Sequence, residues 1–128
     1  MEPKQDKLFQ DLKIFDNLLL NEYCDSIYNS LAVNFGNTSG IILGGSVARV
    51  LDGLTGYEPK DVDFIVKNQY VYRFLQANVR LLFPEFTIIE DNMRIIVFTG
   101  IVAIELWKGG TIYATQEKLY KNKLSYIV

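Results

Sequence analysis

Between Ile41 and Val66 the chain carries two short apolar runs, each interrupted in a way that few local structures tolerate. Ile41-Ile42-Leu43 breaks into Gly44-Gly45-Ser46, and Lys60-Asp61-Val62-Asp63-Phe64-Ile65-Val66 opens with two acidic residues separated by one apolar residue. The first run reads as a buried strand, a tight glycine turn and the N-terminus of a helix. Glycine lets the backbone approach a ligand closely, and unpaired amides at a helix start attract phosphate. In the second run, strand geometry puts Asp61 and Asp63 on one face. Two carboxylates held that close repel each other unless a cation sits between them. Where phosphates are handled, that cation is usually Mg²⁺. A phosphate cradle followed by a carboxylate pair reads as metal-assisted chemistry on a nucleoside triphosphate. The simpler account of the glycines, a strand-to-helix turn that needs small residues, is met by the same sequence.

Length and composition set the frame. The 128 residues suffice for one domain, 1–128, with an N-terminal packing helix over about 6–33 and a motif core over about 41–107. Hydrophobic residues at 49% and charged residues at 22% are ordinary for a soluble domain. No apolar run approaches the roughly 20 residues that span a bilayer, and the polar N-terminus lacks the apolar stretch of a signal peptide. The single cysteine, Cys24, has no internal disulfide partner, which points to a reducing compartment and hence the cytoplasm. With no histidine, Ser-His-Asp and Cys-His catalysis and histidine-ligated zinc are excluded, so a catalytic metal must rest on carboxylates. A net charge of −2 and a pI near 5.1 give no overall attraction to nucleic acid.

Periodicity gives the order of elements. Residues 6–33 read as one long amphipathic helix with Leu8, Leu12, Phe15, Leu19, Tyr23 and Ile27 on its apolar stripe, covering one face of a sheet. Cys24 is a small filler within it. Residues 34–40 form a loop, Ile41–Leu43 a strand, Ser46–Leu54 a helix and Lys60–Val66 a second strand. Tyr70–Phe83 is a helix ended by Pro84. Phe86–Ile89 and Arg94–Phe98 are strands joined across residues 90–93, and Ile101–Trp107 is the most strand-like stretch of all. Thr115–Leu124, with Lys118, Lys121 and Lys123, reads as a short C-terminal helix. This order predicts an α+β fold, a small mixed sheet with helices packed mainly on one side.

The same residues carry a family resemblance. Gly44-Gly45-Ser46-Val47 with Glu58-Pro59-Lys60-Asp61-Val62-Asp63 resembles the head domain of CCA-adding enzymes and bacterial poly(A) polymerases. Gly45-Ser46-Val47-Ala48-Arg49 resembles the Gly-Ser-x-Ala-Arg signature of minimal nucleotidyltransferases, including those paired with toxins. Both are branches of the polymerase-β-like nucleotidyltransferase superfamily. The resemblance implies the nucleotidyltransferase fold, an NTP substrate and Mg²⁺ or Mn²⁺ held by Asp61, Asp63 and a third carboxylate on a later strand. Glu105, inside Val-Ala-Ile-Glu-Leu-Trp, fits that third place by order and environment. A carboxylate in such apolar company needs a partner; otherwise it is a solvent-facing residue on a half-exposed strand. By the same resemblance Gly44, Gly45 and Ser46 cradle the β and γ phosphates. Arg49, one helical turn beyond Ser46, either reaches a phosphate or is an exposed helix arginine. Trp107 reads as core or interface, and Lys108 as a residue on a solvated face or near a phosphate.

The implied activity is Mg²⁺-dependent transfer of a nucleoside monophosphate from an NTP to a hydroxyl on a protein, a small molecule or an RNA end, the last disfavoured by charge. A toxin-like protein partner or a second copy would complete the cleft. Two departures, Ala48 where CCA-type enzymes place arginine and a longer stretch between Ser46 and Asp61, support an alternative. In that alternative the chain is a nucleotidyltransferase fold retained as a catalytically inactive binding or antitoxin module.

Overall fold

In the computed structural model, which describes residues 7–54, 60–109 and 117–128, the helical region expected over 6–33 is broken in two. Helix α1 (Leu8–Leu12) ends at Lys13, whose φ of 52° is left-handed, and α2 (Leu18–Phe35) begins afresh. The restart is written in two asparagines. Asn17 caps α2, its side-chain oxygen accepting from the Leu19 and Leu20 amides at 3.0 and 3.2 Å. Asn21 then holds the connecting segment, accepting from the Phe15 amide at 3.0 Å and donating to the Phe15 carbonyl at 2.8 Å. Lys7 gives α1 no side-chain cap; Asp25 of α2 does so instead, accepting from the Phe9 and Gln10 amides at 2.7 and 3.1 Å. Phe9 stacks with Phe15 and meets Tyr28 edge-on. The buried stripe of α2 is Leu20, Cys24, Ile27 and Leu31: Ile27 is inward as expected, whereas Leu19 is exposed. Cys24 is the buried filler expected of it, and burial pushes its thiol well up. These helices belong to one compact unit ending at Ser39; residues from Gly40 onward form a second.

The second unit contains strands β1 (Ile41–Gly44), β2 (Asp61–Val66), β3 (Thr87–Glu90), β4 (Arg94–Phe98), β5 (Ala103–Lys108), β6 (Glu117–Tyr120) and β7 (Leu124–Ile127). They make one seven-stranded mixed sheet in the order β3-β4-β5-β2-β1-β7-β6. The β2–β5 and β1–β7 pairs are parallel and the rest antiparallel. With its helices this is an α+β fold, as expected.

Strict alternation along β2 gives the sheet two unlike faces. Val62, Phe64 and Val66 are buried, whereas Asp61, Asp63 and Ile65 are half-buried. Register extends the buried face to Ile104 and Leu106 on β5 and to Ile95 and Val97 on β4. Helix α4 (Gln69–Leu82), capped by Asn68 at the Val71 amide (2.9 Å), lies on this side with Val71, Tyr72, Leu75 and Val79 buried. Lys108 stands 5.1 Å from the Tyr72 ring centre, and Gln76 donates to Glu90. Helix α3 (Gly45–Leu51) follows β1 directly. No helix among the described residues is long and apolar enough to cross a membrane.

The tail departs from expectation. Residues 117–124 are not a helix: they open the β6–β7 hairpin, and residues 115–116 lie outside the described residues. Lys121 and Asn122 both have positive φ, 49° and 60°, and the Lys123 amide closes the turn on the Tyr120 carbonyl at 3.0 Å. Such paired left-handed residues match the twist of a hairpin, and asparagine tolerates them better than most. Leu124 and Tyr126 are buried while Ser125 and Ile127 are half-buried, a strand period that the lysines mask. Asp52, at the end of α3, ties the hairpin down by accepting from Lys118 Nζ and the Tyr126 hydroxyl, each at 2.9 Å. These bonds hold its carboxyl below the usual range.

Candidate functional site

The less buried face of the sheet gathers the acidic residues singled out by sequence. Asp63 of β2 is the register partner of Glu105 on β5 and, on its other side, of Gly44 on β1. Asp61 lies two residues back on the same face, beside Ala103. Glu105 is buried, only 8% exposed, so the reading as a solvent-facing strand residue does not hold. Two turns set the position of β4 beside these strands. At the β3–β4 hairpin, Asp91 accepts from the Met93 and Arg94 amides at 2.8 and 3.0 Å. Between β4 and β5, Thr99 donates to the Val102 carbonyl and accepts from the Ile101 and Val102 amides, with Gly100 at φ 84°.

The partner that Glu105 requires is Arg94. Its guanidinium pairs with Glu105 Oε1, reaches back to Asp91 and stands 4.7 Å from the centre of the Trp107 ring. Trp107 in turn donates its indole N–H to Asp63 Oδ1 at 3.0 Å. The result is a chain of contacts, Glu105–Arg94–Trp107–Asp63, whose two ends are register partners across the β2–β5 pair. Burial pushes the Glu105 carboxyl up, the Asp63 carboxylate as proton acceptor and as like charge adds to this, Arg94 opposes it, and Asp61 contributes in the upward direction.

On the β1 side the glycine turn presses on the same carboxylate. Gly45 has a φ of 63°, and a Cβ at this position would collide with Asp63 Oδ2. A Cβ on Gly44 would meet Ile65 Cδ1 at 3.1 Å. Gly45 is therefore required for the close approach of the turn to β2, whereas a side chain at Gly44 would ask only a small shift of the Ile65 terminal methyl. Gly44 sits at the N-cap of α3 and supplies no side-chain cap to its first amides; Ser46 follows half-buried in the first turn. Arg49 is exposed in the last turn of α3 and forms no ion pair among the described residues.

Thus Gly44, Gly45, Asp61, Asp63 and Glu105 share one locality, and Arg49 is not tied into the carboxylate group. Lys108 points to the opposite face and over Tyr72, away from any phosphate on the Asp63 side. Among the described residues no three acidic or cysteine side chains stand together as a ready metal cage, because Glu105 is turned to Arg94 and one oxygen of Asp63 to Trp107. Asp61 and Asp63 by themselves are a donor set suited to Mg²⁺, which typically takes one or two carboxylates and completes its octahedron with phosphates and water. Trp107 and Arg94 were missed as site residues. Trp107 was legible, since two-residue alternation from Glu105 places it on the same face; Arg94 depended on the hairpin register.

No protein-family model matches the chain, and no curated protein matches it. Among solved structures it is similar to the crystal structure of JHP933 from Helicobacter pylori, at 15% identity and a TM-score of 0.51. The match covers 87% of this chain and 51% of that one, so the chain spans about half the length of this neighbour. At this identity the likeness concerns the fold alone.

Proposed function

We propose that this chain is a divalent-cation-dependent nucleotidyltransferase of the polymerase-β-like kind. It would transfer a nucleoside monophosphate from an NTP to a hydroxyl acceptor and release pyrophosphate. The observation that carries the reading is the seating of the Gly44-Gly45 turn directly on Asp63, with Asp61 and Glu105 on the same sheet face. A triphosphate held at Gly44, Gly45 and Ser46 would place its charged oxygens beside the carboxylates that must share a cation with it. Asp61 and Asp63 would hold Mg²⁺ or Mn²⁺, which offsets the triphosphate charge and acidifies the attacking hydroxyl. The hydroxyl oxygen bonds to the α-phosphorus as the bond to the pyrophosphate oxygen breaks. Glu105, with its carboxyl raised above the ordinary value, is the group suited to receive the hydroxyl proton once Arg94 releases it. A reducing cytoplasm suits the lone Cys24, and a protein partner or second copy would supply the acceptor side of the cleft.

The Arg94–Glu105 ion pair favours a second reading. It satisfies the buried carboxylate without any metal, as a binding or antitoxin module without turnover would require. Thermal unfolding with each NTP, with and without Mg²⁺ or Mn²⁺, separates these readings. Binding to the native state raises the midpoint by mass action. The enzyme reading expects a cation-dependent rise with at least one nucleotide, absent in Asp61→Ala/Asp63→Ala. A rise that needs no cation favours the binding module, and no rise with any nucleotide removes the enzyme reading for the isolated chain.

A further inference from the structure

We propose that β3, an open edge of the sheet, takes up an extended, basic segment of a partner protein as an added strand. Among the described residues β3 stands last in the strand order and pairs only with β4. Its outward hydrogen-bonding groups follow from the hairpin. The Asp91 amide donates to the Arg94 carbonyl at 3.0 Å, so these two residues form a bonded pair. Antiparallel strands alternate bonded and non-bonded pairs. Thr87 and Ile89 therefore turn their backbone groups to β4, and Ile88 and Glu90 turn theirs outward. An extended segment laid along this edge meets two N–H and two C=O groups, the usual basis of strand addition.

This edge is also unguarded. Natural edge strands are blunted by lysine, proline or a bulge. At the opposite edge β6 carries Lys118 and runs into Lys121 and Lys123. By contrast β3, Thr-Ile-Ile-Glu, has neither lysine nor proline, and its register with β4 is unbroken. Ile89 and Phe98 lie on one face there and are 51% and 42% exposed, so an apolar residue opposite Ile89 would be the one to cover them.

Charge selects the occupant. Residues 84–93 hold Glu85, Glu90 and Asp91, all exposed, and no basic side chain before Arg94. Arg80 approaches Glu90 only to 3.9 Å, Arg94 meets Asp91 at 3.4 Å, and Glu85 forms no ion pair among the described residues. A second copy paired through the outward groups, Ile88 opposite Ile88, would set Glu85 of one chain against Asp91 of the other, a destabilising match. A segment with lysine or arginine at both ends meets opposite charge instead. It would stand three strand spacings from β5, about 14 Å, beside the carboxylate group rather than within it. The surface therefore does not depend on the reading of Asp61 and Asp63.

The test is an NMR titration of the ¹⁵N-labelled full chain with a synthetic peptide of alternating valine and threonine, flanked by lysines. The same peptide flanked by glutamates is the control. The expected result is fast hydrogen exchange at the Ile88 and Glu90 amides of the free chain, with Ile89 protected. The lysine peptide should then shift and protect Ile88 and Glu90 saturably, and the glutamate peptide should bind at least about tenfold more weakly. Ile88→Pro removes one outward N–H without touching the ladder to β4, and should abolish the shift. Should that variant fail to fold, Glu85→Lys/Glu90→Lys should reverse the preference between the two peptides. Protection of Ile88 and Glu90 in the dilute free chain would mean that the edge is already covered, and overturns the proposal. Protection that grows with protein concentration makes a second copy the occupant and overturns it equally. No saturable shift with the lysine peptide, or equal binding of both peptides, removes the basic partner.

Discussion

Asp63 and Glu105 stand directly opposite each other across the parallel β2–β5 pair, two carboxylates on one face of the sheet. An arrangement of this kind stores repulsion, which a proton, a guanidinium or a divalent cation can relieve. The chain already supplies the guanidinium, from Arg94.

Glu105 should give stability a distinct pH dependence. Its native carboxyl is raised above the ordinary 4.5, so the folded chain binds this proton more tightly than the unfolded chain. The resulting stabilisation is full below the ordinary value and is lost as pH rises through the native one. Glu105→Gln cannot titrate and should lack this loss. Urea unfolding from pH 4 to 8 should show the variant gaining on the wild type across that window; parallel curves would contradict the prediction.

Gly45→Ala should be costly beyond its size. The residue must adopt φ 63°, and its new methyl meets the Asp63 carboxylate. The left-handed backbone alone costs about 1–2 kcal/mol, and displacement of Asp63 adds to it. We expect a loss of roughly 2–3 kcal/mol by urea titration, together with weakened cation binding. A change below about 0.5 kcal/mol, the range of neutral surface substitutions, would show that the turn is not seated as described.

Arg94→Met keeps the aliphatic bulk and removes the cation. Leaving Glu105 buried and unpaired should cost about 1–3 kcal/mol at neutral pH, and less in acid, where the carboxyl is neutral. In the Arg94→Met/Glu105→Gln double variant most of that loss should disappear, giving a clear coupling energy in a double-mutant cycle. Additive losses would mean that the ion pair contributes little.

Asp25→Ala should loosen the N-terminal unit. The side chain satisfies the amides of Phe9 and Gln10 at the start of α1. Leaving them unmet costs roughly 2–4 kcal/mol. Hydrogen exchange should quicken first at Phe9 and Gln10, with the amides of the central sheet strands following only as global stability falls.

The sheet was the most legible part of the chain because its signal is local. Alternation in β2 announced Asp61 and Asp63 on one face, and the conflict between Glu105 and its apolar neighbours announced that it needed a partner. The identity of that partner was hidden, since Arg94 reaches Glu105 only through the β4–β5 hairpin register, which turns at Thr99. The N-terminal break was masked by apolar spacings that run unbroken through Leu12, Phe15 and Leu19, although Asn17 is a good cap signal in hindsight. At the C-terminus, lysines suited to a helix obscured the alternation of Leu124 and Tyr126, and Lys121-Asn122 carried the turn. Long-range register and side-chain capping, rather than propensity, decided each of these places.

The most direct test is a crystal of the protein grown with Mn²⁺ and a non-hydrolysable NTP, with anomalous scattering used to locate the metal. The proposed function predicts Mn²⁺ bound by both Asp61 and Asp63, sharing phosphate oxygens with a nucleotide seated on the Gly44-Gly45-Ser46 turn. Nucleotide or metal bound elsewhere, with Asp61 and Asp63 uncoordinated, would contradict it.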